Sequence, residues 1–98
     1  MNAPHHPLPP LEQILTRFFY DTLTGDLTYR FSVGRAARGS VAGSLTDDGY
    51  LVTRIDGVGY HNHRLVWLIM MEEDPGDCMI THRDGIFTNN RWENLTVK

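Results

Sequence analysis

The sequence is poor in cysteine and in long apolar runs, and each shortage excludes a class of protein. The single cysteine, Cys78, has no second thiol for an internal disulfide and cannot build a cysteine-based zinc cluster. The longest apolar run, residues 65–71, is far shorter than the roughly 20 residues that a membrane-spanning helix needs. The first residues lack the basic segment and apolar stretch of a signal peptide. We therefore expect a cytoplasmic protein with no membrane contact.

The chain also lacks a basic excess. Among its 98 residues, 9 Lys and Arg stand against 12 Asp and Glu, which gives a formal charge of −3 and a pI near 5.9. A protein that binds nucleic acid by general attraction to phosphate needs positive charge, so any DNA contact must be local. The length allows one small core and hence one domain. Association would enlarge that core, and both a monomer and a dimer stay open.

Proline is concentrated at the start of the chain. Four of the five prolines are Pro4, Pro7, Pro9 and Pro10. A terminus so rich in proline favours an extended segment that does not join the fold. We predict a disordered arm over residues 1–10 and a single domain over residues 11–98.

The first half of this domain predicts a helix, a strand and a basic loop. Apolar residues at intervals of three and four predict an amphipathic helix over residues 11–20. Alternation of apolar and polar residues predicts a strand over residues 27–31. Residues 32–44 contain Arg35 and Arg38 and no acid, which is typical of a basic loop.

The second half predicts a hairpin, a buried helix and two short strands. Asp56-Gly57 is a hairpin turn signal between two strand-like runs. The apolar run predicts a buried helix that begins at residue 63 and ends at residue 72 or 73, with a buried strand as the alternative. Residues 78–81 and 95–97 predict strands on either side of a polar loop. The fold class is therefore α+β, a small antiparallel sheet with an N-terminal helix and a central buried helix.

Residues 81–95 hold the densest group of polar side chains. They include one histidine, one aspartate, two arginines and three asparagines. Histidine accepts a proton near neutral pH, asparagine can ligate a hard cation, and arginine binds phosphate through a two-pronged contact. Together these groups suit phosphodiester hydrolysis. The alternative is that Asp-Gly and Asn-Asn simply form turns.

The order of these residues resembles the phage-type HNH homing endonuclease family. The resemblance lies in HRLVW at residues 63–67, His-x-Asp-Gly from His82, Asn-Asn-Arg at residues 89–91 and Glu-Asn-Leu at residues 93–95. Upstream segments that fit the same family are TGDLTY at residues 24–29, VAGS at residues 41–44 and DGY at residues 48–50. The similarity covers residues 18–97 and implies metal-dependent cleavage or nicking of DNA.

The resemblance also implies roles for individual residues. His82 would be the general base that deprotonates the attacking water, and Asn94 would brace the metal-binding loop. Mg²⁺ or a similar divalent cation would stabilise the phosphate, with Thr81, Asp84 and Asn90 as the candidate ligands. Charge, rather than the motif, makes four arginines candidates for contacts with DNA phosphate: Arg35, Arg38, Arg83 and Arg91.

Two departures from the family pattern keep a second function open. Thr81 stands where the family has a carboxylate or another good metal ligand before the histidine. The family's second ligand sits on a helix after the last strand, and the sequence ends at Lys98, so we expect an incomplete ββα-metal motif. The chain is then either a weakened HNH nuclease or an inactive HNH-derived module that binds nucleic acid or protein, such as a phage-encoded inhibitor of a host factor.

Two further groups have alternative interpretations. Glu72, Glu73, Asp74 and Asp77 form an acidic surface, residues 72–77, which is either a solvated loop or a contact for a basic protein partner. The spacing of His61 and His63 fits a metal pair. It also fits residues that cap a helix or satisfy polar groups of the core.

Overall fold

The structure is a computed structural model that describes residues 7–98. Most of the predicted disordered arm, residues 1–6, therefore lies outside the described residues. Within the described part of the arm, the side chain of Leu8 packs against the core. The backbone N–H of Leu8 donates a hydrogen bond to Asp74 Oδ2 at 3.0 Å.

The N-terminal helix is confirmed but is shorter than the sequence predicts. Helix α1 spans Leu11–Arg17, and strand β1 (Phe18–Tyr20) follows it directly and pairs antiparallel with strand β2 (Leu27–Tyr29). The prediction of helix through residue 20 is wrong because three consecutive aromatic residues favour a strand once a partner strand lies beside them. The side chain of Arg30 donates hydrogen bonds to the carbonyls of Leu15 and Phe18, and so stabilises the end of the helix.

The predicted hairpin is confirmed at the centre of a three-stranded sheet. Strand β3 (Ser44–Leu45) pairs with β4 (Leu51–Ile55), which pairs with β5 (Val58–His61), both antiparallel. The turn between β4 and β5 has positive φ at Asp56 (51°) and Gly57 (83°). These are the angles of the tight turn that matches the twist of a hairpin, which is why Asp-Gly forms it.

The central helix α2 (Asn62–Met71) is buried along its first half and confirms the predicted buried helix. Its first residue, Asn62, forms side-chain hydrogen bonds both to strand β4 and to the segment that precedes β3. Asn62 accepts a hydrogen bond from Thr53 Oγ1 at 2.6 Å and donates one to the carbonyl of Ala42 at 3.1 Å. A Cβ on Gly43 would lie 2.8 Å from Asn62 Nδ2, so the chain entering β3 approaches α2 too closely for a side chain.

Arg64 fixes the segment that leads from α2 to the next strand. Its side chain is only 5% exposed, and it donates hydrogen bonds to the carbonyls of Gly76 at 2.6 Å and Cys78 at 3.4 Å. Asp74 lies 3.9 Å from the same guanidinium. A buried guanidinium satisfied by carbonyls holds this segment in one conformation.

The last two strands form a separate antiparallel pair. Strand β6 (Ile80–His82) pairs with β7 (Leu95–Val97), and a short 3-10 helix (Trp92–Asn94) leads into β7. Residues 7–98 therefore contain three small antiparallel sheets rather than one, and the α+β class is confirmed. No helix of the described residues is long and apolar enough to cross a membrane. The core residues are Ile14, Phe18, Tyr20, Leu27, Ala42, Ile55, Leu65, Val66, Leu68, Ile80 and Leu95.

Candidate active site

His82 lies at the end of β6 and is oriented by an asparagine of the following loop. Its side chain is 8% exposed, and its Nε2 atom lies 2.8 Å from Oδ1 of Asn90, which is itself buried. An amide oxygen only accepts hydrogen bonds, so the contact requires the proton of the neutral imidazole to be on Nε2. The Nδ1 atom then carries the lone pair that a general base uses.

Asn90 is held in turn by the N-terminal sheet. The hydroxyl of Tyr20 donates a buried hydrogen bond of 2.6 Å to the backbone carbonyl of Asn90. Burial, together with the charge of Glu93, raises the pKa of the Tyr20 hydroxyl to about 12. Because the hydroxyl stays protonated at neutral pH, it remains a donor there.

Asn94 braces the loop between β6 and β7. Its Oδ1 accepts a hydrogen bond from the Asp84 N–H at 3.0 Å, and its Nδ2 donates to Asp84 Oδ1 at 2.9 Å and to the Asn89 carbonyl at 2.8 Å. The Asn89 amide donates to Asp84 Oδ2 at 2.7 Å. This bond and the Ile86 N–H, which donates to Asp84 Oδ1, hold the pKa of the Asp84 carboxyl below its usual range. The loop is therefore held by side chains bound to one another.

The candidate metal ligands are each committed to other contacts. Thr81 lies next to His82 in a strand, so its side chain points to the opposite face, where its hydroxyl donates to the Thr96 carbonyl at 3.4 Å. Asp84 uses both carboxylate oxygens on its own loop, and Asn90 Oδ1 contacts His82. Across residues 7–98, no group of three or more His, Cys, Asp or Glu side chains is arranged to hold a metal ion. These residues do not fit a divalent cation.

Two further histidines and two aromatic rings surround His82. The ring of His63 lies 5.2 Å from that of His82, and the ring of His61 lies 5.1 Å from that of His63. Tyr50 contacts all three imidazoles and stacks on Phe87 at 4.4 Å. We define this group, Tyr50, His61, His63, His82 and Phe87, as the imidazole cluster.

The sequence analysis missed this cluster because its members come from four separate segments. The sequence relates only His61 and His63, through their spacing. His61 stands at the N-cap position of α2 but makes no side-chain capping hydrogen bond. The available signals were the spacing of these two histidines and the resemblance at Asp48-Gly49-Tyr50, which places Tyr50 before β4.

The four candidate phosphate contacts lie in two loops. Arg83 and Arg91 are exposed at the two ends of the loop after β6, and Arg91 forms an ion pair of 2.6 Å with Glu93. Arg35 and Arg38 are exposed in the loop between β2 and β3. All four guanidinium groups are therefore on the surface, as a contact with DNA phosphate requires.

The four acids of the acidic surface, residues 72–77, differ in whether they make contacts within the fold. Glu72, Glu73 and Asp77 are exposed. Asp74 is exposed as well, but its carboxylate accepts hydrogen bonds from the N–H groups of Gly76 and Leu8. Three of the four acids thus remain directed to solvent or to a partner.

The match to a known family falls on the part of the chain that carries this site. Residues 60–98 match the model of an HNH endonuclease family. No curated protein and no solved structure matches the chain. The matched residues run from β5 through α2 to β7 and include His82, Asn90 and Asn94. This segment is therefore HNH endonuclease-like, and the resemblance to HNH endonucleases is confirmed for these residues.

Proposed function

We propose that this chain is an HNH endonuclease-like domain that acts on the phosphodiester bonds of DNA, with His82 as the general base. The observation that carries the proposal is the buried contact of His82 Nε2 with Asn90, which leaves Nδ1 as the basic atom. In hydrolysis, Nδ1 would take a proton from water as the water oxygen bonds to phosphorus. The bond from phosphorus to the leaving oxygen breaks, and that oxygen takes a proton from solvent.

Binding of the DNA strand would depend on the arginines. Arg83 and Arg91 lie on the loop that follows His82, and Arg35 and Arg38 lie on the basic loop between β2 and β3. Each guanidinium can contact a phosphate through two hydrogen bonds. Such local contacts would compensate for a net charge of −3, which by itself repels DNA.

We expect cleavage to be weak. HNH endonucleases use a divalent metal ion, which supplies charge stabilisation for the phosphate. Thr81 does not fit such an ion because its side chain lies on the opposite face of the strand from His82, and the side-chain oxygens of Asp84 and Asn90 already contact other residues of the site. Stimulation by Mg²⁺ or Mn²⁺ should therefore be small.

A plasmid-nicking assay tests this function. We expect slow conversion of supercoiled to open-circular DNA, and the His82→Ala variant should lower the rate about 100-fold or more, the usual contribution of a general base. Thr88→Ala, an exposed residue of the same loop, is the matched control and should nick like the unaltered protein. Equal rates for His82→Ala and Thr88→Ala would contradict the proposal.

The second candidate function is binding without cleavage. It is favoured by the committed metal ligands, which leave a DNA-binding or protein-binding module of HNH and phage ancestry. Its partner would be DNA, or a basic protein such as a host factor that meets Glu72, Glu73 and Asp77. Measurement of DNA affinity at several salt concentrations distinguishes the partners. Contacts with DNA phosphate give a steep slope of log affinity against log salt, whereas a slope near zero indicates a protein partner.

A further inference from the structure

We propose that Tyr20 is a positioning residue for His82 and acts through Asn90. Tyr20 belongs to β1, outside the matched residues 60–98. The inference rests on the proposed role of His82 as a base. It adds that the N-terminal sheet, which the family match does not cover, sets the tautomer and orientation of that base.

The contacts form one continuous chain. The hydroxyl of Tyr20 donates to the Asn90 carbonyl at 2.6 Å, and the Asn90 side-chain oxygen contacts His82 Nε2 at 2.8 Å. All three residues are buried, with exposures of 8%, 2% and 8% respectively. Hydrogen bonds in such surroundings are shielded from competition by water, so each one fixes the position of the next group.

A second contact from the same sheet holds Asn90 from the side. The turn between β1 and β2 contains Gly25, which is buried and has a φ of 81°. A Cβ at this position would lie 2.6 Å from the Asn90 carbonyl carbon and 2.3 Å from the Arg91 nitrogen. Only glycine allows the turn to pack so closely. The backbone of Asn90 is therefore confined by both the Tyr20 hydroxyl and the Gly25 turn.

The turn itself is rigid enough to serve as a support. Asp21 accepts a hydrogen bond at its carbonyl from the Gly25 N–H at 2.7 Å and another at its side chain from the Leu23 N–H at 2.9 Å. Its own N–H donates to the Asp26 carbonyl at 2.9 Å. Because Tyr20 directly precedes this closed turn, its ring has a fixed place from which to reach Asn90.

Loss of the Tyr20 hydroxyl should change His82 in a way that a packing defect would not. Without it, the Asn90 carbonyl is an unsatisfied buried acceptor, and the loop can move to find another donor. The Asn90 amide then no longer stays opposite Nε2, and the imidazole can carry its proton on either nitrogen. A base displaced by about 1 Å loses about 100-fold in rate, and one with its proton entirely on the wrong nitrogen loses up to about 10⁴-fold.

The Tyr20→Phe variant tests the proposal through the ring nitrogens of His82. Protein with ¹⁵N-labelled histidine is studied by NMR without DNA, and the His82 signals are assigned by their loss in His82→Gln. We expect a single Nε2–H form in the unaltered protein and a mixture of both forms in Tyr20→Phe. Tyr29→Phe is the matched control, because Tyr29 lies in the same sheet with its ring 5.3 Å from Phe18, and should leave the single form.

Asn90→Ala is the positive control, and nicking kinetics give the second measurement. Asn90→Ala should abolish the preference for Nε2–H. In nicking assays Tyr20→Phe should lower kcat by about tenfold to 100-fold and leave KM unchanged, because it alters the base and not the DNA contacts. An unchanged His82 signal in Tyr20→Phe would overturn the proposal, whether or not Asn90→Ala has an effect.

The test stands apart from the proposed nuclease activity. Absence of nicking in the unaltered protein would refute the proposed function, while the ring-nitrogen measurement would still decide the role of Tyr20. If Tyr20→Phe does not fold, the hydroxyl proton of Tyr20 in the unaltered protein decides instead. We expect that proton to exchange slowly with water and to show an NMR cross-peak to protons of residue 90. Absence of both the slow exchange and the cross-peak would overturn the proposal.

Discussion

Two polar loops of this protein use their side chains in opposite ways. In the loop after β6, Asp84, Asn89 and Asn94 bind one another and the backbone. In the loop between β2 and β3, hydrogen bonds involve mostly backbone, such as the mutual pair between Val33 and Ala36, and the arginine side chains extend into solvent. The first arrangement fixes the surroundings of His82. The second leaves charge free to meet a phosphate, and so the two loops suit different tasks.

The largest expected effect comes from removing the brace of the first loop. Asn94→Ala deletes three hydrogen bonds to Asp84 and Asn89. At about 1 kcal/mol for each bond, the free energy of unfolding should fall by about 3 kcal/mol. Chemical denaturation measures this change. The control is Thr88→Ala, an exposed position in the same loop, whose free energy of unfolding should stay within about 0.5 kcal/mol of that of the unaltered protein. If Asn94→Ala is as stable as the unaltered protein, the loop does not depend on the hydrogen bonds of Asn94.

A smaller effect is expected from changes in the loop between β2 and β3, and it should alter DNA affinity without altering stability. The double variant Arg35→Gln and Arg38→Gln should weaken DNA binding by about tenfold. It should also reduce the slope of log affinity against log salt by about 1.8, which is two phosphate contacts at 0.9 each. Fluorescence titrations at several salt concentrations measure both quantities.

The matched control for this double variant is Arg54→Gln, because Arg54 is an exposed arginine whose side chain binds the Gly57 carbonyl in the β4–β5 hairpin. It should leave the slope unchanged. A reduction in Arg54→Gln that is half of that in the double variant, and so equal for each charge removed, would mean that the affinity follows total charge rather than the loop. Unfolding of the double variant should match that of the unaltered protein.

The smallest expected effect is the response of the first loop to acid. The pKa of Asp84 is lowered in the fold, so its contribution to stability is complete above its ordinary value near 4 and is lost as the pH falls through the lower value of the folded protein. Below about pH 4, amide signals of residues 84–94 should begin to shift before global unfolding. Asp84→Asn should remove that early step, whereas retention of the step would assign it to another carboxyl.

The sequence predicts most of the fold where a local signal decides the conformation. Asp56-Gly57 requires a tight turn and forms one, and the apolar run after His63 becomes the buried helix. Residues 18–20 show where local signals fail. Their apolar spacing continues that of the helix, and only the pairing with β2 and the contacts of Arg30 make them a strand.

The candidate site also has one part that the sequence predicts and another that depends on contacts between distant segments. The order of motifs predicts that His82 and Asn94 lie close together, and in the structure they stand at the two ends of the loop between β6 and β7, with Asn94 bound to Asp84 and Asn89; their roles in catalysis stay predictions. Asn90, expected as a metal ligand, instead contacts His82. The contact of Asn90 with Tyr20 has no sequence signal, because the two residues are 70 positions apart and only the tertiary fold brings them together.

The close approach of Gly43 to Asn62 has a consequence for protein engineering. The end of the β2–β3 loop is fixed to the start of α2, whereas its tip is open, since a Cβ at Gly34 would meet nothing within 4 Å. Segments of new length or composition could therefore be grafted at the tip while residues 41–43 keep the domain intact. In this sense the molecule provides an exchangeable loop on a constant scaffold.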